Sequence, residues 1–146
     1  MQTTSINREI LTGGNIRFSG GGCSFTYERP RAGVLLVTID GHDRGQFGTS
    51  TLDEILNAIQ REGRIALFVD AREARGIAIE VSEAWTRFFN VNREKLVRVH
   101  VLVASEYIQL TVAIAQHLSA TGDLIKIHHQ EATFISALND PRSSPH

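Results

Sequence analysis

The chain has 146 residues, of which 42% are hydrophobic and 21% are charged, a balance typical of one soluble globular domain. Its formal net charge of −1 gives no overall attraction for nucleic acid or an anionic membrane, so we expect neither as a partner. No apolar run approaches the roughly 20 residues that cross a bilayer, so we expect no membrane insertion. A single cysteine, Cys23, and a polar N-terminal segment without a secretory signal pattern favour a cytoplasmic location.

The N-terminal region is rich in turns. Glycines stand at 13–14 and at 20–22, and residues 15–18 between them have the composition of a short strand. We therefore predict an N-terminal extension over residues 1–23. Residues 24–28 then alternate polar and apolar side chains, and residues 34–39 are almost entirely apolar. The short Pro/Gly loop between these two runs predicts an antiparallel hairpin.

After this hairpin the apolar residues change to a helical period. One helical face is formed by residues at i, i+3, i+4 and i+7, namely Leu52, Ile55, Leu56 and Ile59. Gly63 lies where a C-terminal helix cap belongs, and an apolar strand over residues 65–69 follows. Because a strand, a helix and a strand in this order need a crossover, we predict that segments 34–39 and 65–69 run parallel in one sheet.

Helices and strands continue to alternate toward the C-terminus. In chain order we predict a loop over residues 71–80, a helix over 82–96, a strand over 99–103, a helix that opens at Ser105 or Glu106 and ends before Gly122, a strand over 124–127 and a helix over 132–138. The predicted fold class is α/β: a mixed, mostly parallel sheet with an N-terminal antiparallel hairpin and about four helices. The domain spans residues 24–139, and residues 140–146 form a disordered tail.

Two segments carry a resemblance to a known superfamily. Residues 33–41 (GVLLVTIDG), followed by a helix and by residues 65–71 (IALFVDA), look like the heart of the STAS superfamily of sulfate transporters and anti-sigma-factor antagonists. The chain is most similar to an uncharacterised STAS-like branch with a lipid-binding-type fold variant, which residues 99–105 (VHVLVAS) and 131–138 (EATFISAL) also fit. The resemblance covers residues 24–138. It implies a STAS-like fold and regulation through protein contact.

The resemblance also directs attention to one serine. In the anti-sigma-factor-antagonist group, a partner kinase phosphorylates a serine in an Asp-Ser-Ser-Gly-like motif after the Asp-bearing strand. Residues 77–84 (IAIEVSEA) lie in this region and lack the motif, but they contain Ser82. Ser82 is our candidate regulatory phosphosite, where a phosphate would meet the positive helix end and Arg72, Arg75 or Arg87. The simpler interpretation is that Ser82 caps the helix.

Three aspartates form the pattern closest to an enzyme site. Asp40 and Asp70 end neighbouring predicted strands, with Asp43 close by, and carboxylates at such an edge can hold Mg²⁺ or simply cap turns. The six histidines show no zinc-ligand spacing, and no Gly-x-Ser-x-Gly elbow occurs. We therefore expect a non-enzymatic domain with no catalytic residue, no metal and no cofactor.

The predicted helix 82–96 carries aromatic residues at helical spacing, which belong either to the core or to a pocket. Our leading hypothesis is a regulatory domain that binds an unidentified protein, or a second copy of itself through an exposed strand edge or helix. The alternative is a carrier of a small apolar ligand or lipid in a cavity under helix 82–96. The candidate contact or ligand surface consists of Asp70, Arg72, Arg75, Trp85, Phe88 and Phe89.

Overall fold

The fold is an α/β arrangement of strands and flanking helices, described in a computed structural model for residues 5–106, 108, 110–113 and 124–143. Residues 106, 108 and 110–113 are helical. The elements with both ends described are β1 (Asn7–Ile10), β2 (Ile16–Gly20), β3 (Cys23–Arg31), β4 (Val34–Asp43), α1 (Ser50–Glu62), β5 (Ile65–Ile77), α2 (Ile79–Val91), β6 (Leu96–Leu102), β7 (Ile125–His128) and α3 (Glu131–Asn139).

Within the described part of the chain, seven strands form one mixed sheet, in which neighbours in sequence are also neighbours in space. β1 to β4 pair antiparallel, and β4 to β7 pair parallel. The central prediction is confirmed, because β4 and β5 run the same way, with Val34 opposite Ala66 and Val37 opposite Val69. The carboxyl ends of β4, β5 and β6 therefore lie together, at what we call the carboxyl edge of the sheet.

Side chains alternate between the two faces of the sheet and so build two cores. On one face, Val37 of β4 packs in a cluster with Ile55 of α1 and Phe89 of α2. On the opposite face, Phe68 of β5 packs with Phe134 of α3. We call these the α1/α2 face and the α3 face.

The segment predicted as an N-terminal extension contributes two strands to this sheet. The short strand expected at residues 15–18 is present as β2, which pairs with β3. β1 was not predicted; it pairs with β2, and most of its side chains are exposed. An exposed strand has no alternation of apolar and polar residues, so its sequence contains little signal.

β4 and β5 both continue beyond their predicted ends. Most of the expected loop over residues 71–80 is strand, because β5 extends to Ile77 alongside a β4 that extends to Asp43. Register irregularities allow the pairing to continue. One of them follows Gly41, whose φ is 94° and whose added Cβ would lie 2.0 Å from the carbonyl oxygen of Gly22, so only glycine fits there.

α2 differs from the prediction at both ends. It begins at Ile79, and its N-cap residue is Ala78, whose N–H donates to the carbonyl of Asp43 at 2.9 Å. This long-range hydrogen bond places the helix start directly after β5. The proposed capping role of Ser82 is therefore wrong, since Ser82 lies inside the first turn.

The C-terminal limit of the predicted helix 82–96 is also corrected. α2 ends at Val91, a short 3-10 turn covers Arg93–Lys95, and Leu96 is the first residue of β6. The hypothesis of a cavity under helix 82–96 therefore concerns Ile79–Val91.

Several smaller predictions are confirmed. Gly63 ends α1, and its N–H donates to the carbonyl of Ile59 at 2.7 Å. The third helix opens as expected, because the Oγ of Ser105 accepts the N–H of Ile108 at 3.1 Å. Its predicted end before Gly122 lies outside the described residues. The predicted disorder of residues 140–146 is not confirmed, because Pro141–Ser143 form a 3-10 turn in which the N–H of Ser143 donates to the carbonyl of Asp140 at 2.9 Å; residues 144–146 are outside the described part.

Candidate functional site

A small apolar cavity lies beneath α2, near the carboxyl edge of the sheet. Its volume is about 70 Å³, and side chains of the sheet, of α2 and of the helix after Ser105 line it. Aromatic rings form much of the wall. The ring centroids of Phe25 and Trp85 are 6.3 Å apart, and those of Trp85 and Phe89 are 5.8 Å apart.

The size of this cavity bears on the carrier alternative. Pockets for drug-sized ligands enclose about 300–1,000 Å³. The cavity under α2 has about 70 Å³, which is far too little for a lipid chain. The carrier alternative is therefore not favoured by the structure.

Three polar side chains border the cavity in the described residues, those of Asp43, Ser82 and Thr111. Asp43 is only 2% exposed, and its carboxyl Oδ1 accepts the N–H of Gly45 at 3.0 Å. Burial raises the pKa of Asp43, while the Gly45 N–H and His42 oppose that rise. Ser82 is half-buried in the same wall.

Cys23 is buried close to this end of the sheet. Burial, followed by the negative charges of Asp43 and Asp40, raises the pKa of its thiol to about 12. A thiol with so high a pKa is almost entirely protonated at neutral pH, and it is a poor nucleophile. In this environment Cys23 is a small packed residue of the core.

The six residues of the predicted contact surface are divided between the two faces of the sheet. Trp85, Phe88 and Phe89 pack against the core of the α1/α2 face, and Phe89 is fully buried. Arg72 lies toward α3, where its Nη2 is 2.7 Å from Oδ2 of Asp70 and its Nη1 is 3.2 Å from Oε2 of Glu131. Arg75 is exposed. The set is not one continuous surface.

This division affects the phosphosite hypothesis as well. Ser82 faces the cavity, its N–H donates to the carbonyl of Ala78 at 3.0 Å, and its carbonyl accepts Oγ1 of Thr86 at 3.0 Å. The guanidinium of Arg72 is engaged on the opposite face of the sheet. Of the arginines expected to meet a phosphate, Arg75 and Arg87 are exposed.

The three aspartates that were predicted to lie together at the edge of the sheet do not form one cluster. Asp43 borders the cavity, whereas Asp40 is exposed and Asp70 is bound by Arg72 through both carboxylate oxygens, at 3.0 and 2.7 Å. Across the described ranges, no group of three or more His, Cys, Asp or Glu side chains is placed to hold a metal ion. In the same ranges, no helix is long and apolar enough to cross a membrane.

Exposed apolar residues near the carboxyl edge were not identified from the sequence. The side chain of Ile79, at the start of α2, is 73% exposed, and that of Leu110, in the helix after β6, is 61% exposed. Glu80 and Glu83 on α2 are also exposed. The exposure of Ile79 could be predicted only once the start of α2 was known. In a helix that begins at Ile79, the side chain of this residue points away from Trp85 and Phe89.

A buried histidine pair on the α3 face was also missed. Nδ1 of His100 lies 2.9 Å from Nε2 of His128, and Nδ1 of His128 lies 2.9 Å from Oγ1 of Thr133. Because the Thr133 hydroxyl donates to the carbonyl of Gln130 at 3.0 Å, it accepts from Nδ1–H of His128. Nε2 of His128 then accepts from Nδ1–H of His100. This chain of hydrogen bonds joins β6, β7 and α3.

The topology defines the class of protein. A mixed sheet with four parallel strands, a crossover through α1 and helices on both faces is an α/β domain of STAS-like fold. The chain is similar to the crystal structure of an uncharacterised protein from the DUF3478 family with a SpoIIAA-like fold, from Shewanella loihica PV-4. The two are 13% identical, with a TM-score of 0.57, and the alignment covers 79% of this chain and 92% of that chain.

This likeness shows the fold and confirms the resemblance to an uncharacterised STAS-like branch at that level. No sequence family matches the chain, and no curated protein matches it.

Proposed function

We propose that the chain is a non-enzymatic regulatory domain of STAS type that binds a protein partner at its carboxyl edge. The observation that carries the proposal is Ile79, a large apolar side chain that is 73% exposed at the start of α2. Burying such a side chain contributes about 1.5–3 kcal/mol, which is a substantial part of a binding free energy. Leu110, in the helix after the neighbouring strand β6, is a second large apolar side chain that is 61% exposed.

The surroundings of Ile79 indicate the chemistry of the partner. Glu80 and Glu83 are exposed on α2 beside it. An apolar centre with charged groups around it is the usual organisation of a protein interface. The partner is therefore a protein that offers an apolar recess for Ile79 and basic groups for the two glutamates.

The SpoIIAA-like fold of the Shewanella protein supports a regulatory role. The STAS superfamily, which this chain resembles, contains the anti-sigma-factor antagonists, and these act in regulation through protein contact.

The side chains that line the cavity support a non-enzymatic function. Its described lining contains the carboxyl group of Asp43 and hydroxyl groups, without a histidine, lysine or cysteine to act as base or nucleophile beside them.

Photo-crosslinking tests this proposal with a control inside the same helix. A photoreactive amino acid replaces Ile79 in one variant and Val91, which is 81% exposed at the other end of α2, in a second. We expect the variant at position 79 to capture one protein in cells of the source organism, and the variant at 91 not to capture it. Equal capture at both positions would contradict a specific binding surface at Ile79. Capture of only a second copy of this chain would show that this surface mediates self-association and not the binding of a different protein.

A further inference from the structure

A second cavity lies far from the carboxyl edge, between the N-terminal strands and α1. Its volume is about 190 Å³. Its charged lining residues are Arg8 from β1, Arg29 from β3, and Glu54 and Arg61 from α1. Neither the proposed partner surface nor the histidine pair uses any of these residues.

The charges in this cavity are unbalanced. Three guanidinium groups face one carboxylate, so the lining carries an excess of two positive charges. The carboxylate of Glu54 is already shared, since its Oε1 lies 3.8 Å from Nη2 of Arg8 and its Oε2 accepts Nδ2–H of Asn57 at 3.3 Å. Among the described residues, Arg29 and Arg61 have no carboxylate within 4.0 Å.

The uncharged part of the lining is mostly apolar. Ile16, Tyr27 and Leu35 form an apolar floor, and the hydroxyl of Tyr27 is occupied because it donates to the carbonyl of Thr51 at 2.8 Å. Arg8, Arg29 and Arg61 are themselves exposed, so an anion can reach their guanidinium groups directly from solvent.

From this combination we infer that the cavity binds a small multivalent oxyanion, such as a phosphate or pyrophosphate group, between Arg29 and Arg61. The planar fork of an arginine side chain matches the oxygens of phosphate and carboxylate, which it binds through two parallel hydrogen bonds. The volume of about 190 Å³ is below the range for drug-sized ligands, so the ligand is a small anion and not a nucleotide with its base.

Isothermal titration calorimetry tests the inference on the purified full chain. Inorganic phosphate, pyrophosphate and succinate are titrated separately at matched ionic strength, so that phosphate chemistry is distinguished from dicarboxylate chemistry and from salt effects. We expect saturable binding of pyrophosphate or phosphate with a Kd below about 1 mM. Absence of saturable binding by both, or binding of succinate alone, would overturn the inference.

Substitutions of the arginines that line the cavity test whether the anion binds there. Arg29→Gln and Arg61→Gln should each weaken binding about tenfold or more, because each removes charge-assisted hydrogen bonds to the anion. Arg87→Gln is the matched control, since Arg87 is an exposed arginine on α2 outside the cavity. Circular dichroism confirms that each variant is folded. An equal loss in Arg87→Gln, or no loss in either cavity variant, would overturn the assignment of the anion to this cavity.

Discussion

His100 and His128 form a buried, hydrogen-bonded pair in which Nδ1 of His100 lies 2.9 Å from Nε2 of His128. The ring of His100 also stacks on Phe68, with the centroids 4.5 Å apart and the planes within 7°. Burial lowers the pKa of His100 to about 4, helped by repulsion between a protonated His100 and His128, Arg98 and Lys126. Burial likewise lowers the pKa of His128, helped by Lys126 and His129.

The pair predicts that stability falls in mild acid. In the unfolded chain His100 takes up a proton below about pH 6.5, whereas in the folded protein it stays neutral down to about pH 4. Its contribution is thus fully present above pH 6.5 and is lost as the pH falls toward 4. For His100 alone we expect a loss of about 2 kcal/mol in the free energy of unfolding between pH 7.5 and pH 5, measured by urea denaturation.

Two variants separate this effect from general acid denaturation. His100→Gln removes the titrating ring, so its stability should depend less on pH over this range. His129→Gln changes an exposed histidine next to the pair and should retain most of the wild-type pH dependence, because burial is the main cause of the lowered pKa of His128 and His129 contributes least to it. If His100→Gln lost stability in acid as steeply as the wild type, the neutral buried pair would not be the cause.

Gly41 provides a test of the close approach of β4 to the turn before β3. Gly41→Ala would force a Cβ to within 2.0 Å of the carbonyl oxygen of Gly22 at a φ of 94°, so we expect a loss of more than about 3 kcal/mol. Gly48→Ala is the control, because Gly48 also has a positive φ, 58°, but no atom lies within 4 Å of its added Cβ. It should cost only about 1–2 kcal/mol. Similar losses for both variants, measured by urea denaturation, would show that the close approach to Gly22 is unimportant.

Cys23 should be unreactive in the native protein. Its pKa of about 12 and its burial keep the thiol protonated and shielded at pH 8. A chromogenic disulfide reagent should therefore modify the native protein much more slowly than the protein unfolded in urea. Comparable rates in the two states would contradict the buried environment described for this residue.

Ser82 remains the candidate phosphosite, and its position predicts how a phosphate would act. The side chain lines the apolar cavity with Trp85 and Phe89, so a negative charge there would destabilise the packing of α2. We expect Ser82→Asp to lower Tm and weaken partner binding, and Ser82→Ala to change both only slightly. Thermal melting and binding measurements on the two variants check this. Unchanged Tm and affinity in Ser82→Asp would argue against regulation through this serine.

The sequence predicted the elements whose signal is local. The four-residue apolar face of α1, its cap at Gly63 and the parallel crossover to β5 are all present, since periodicity and glycine position are enough to define them. The start of α2 could not be predicted, because it depends on a hydrogen bond from Ala78 to Asp43, which is 35 residues away in the sequence.

The candidate sites were harder to predict for the same reason. The histidine pair joins positions 28 residues apart, and the arginine-lined cavity is formed by β1, β3 and α1. No spacing in the sequence indicates either of them. The exposure of Ile79 depends on where α2 begins. Because the predicted start at Ser82 was three residues too late, the exposed surface at Ile79 could not be predicted.

Partner affinity is the most direct test of the proposed protein-binding surface. Once the partner captured at position 79 is identified, Ile79→Lys and Val91→Lys are compared with the wild type by isothermal titration calorimetry, after circular dichroism shows that both are folded. We predict that Ile79→Lys raises the Kd about tenfold or more, because it removes a buried apolar contact, and that Val91→Lys leaves it unchanged. Wild-type affinity in Ile79→Lys would contradict the account.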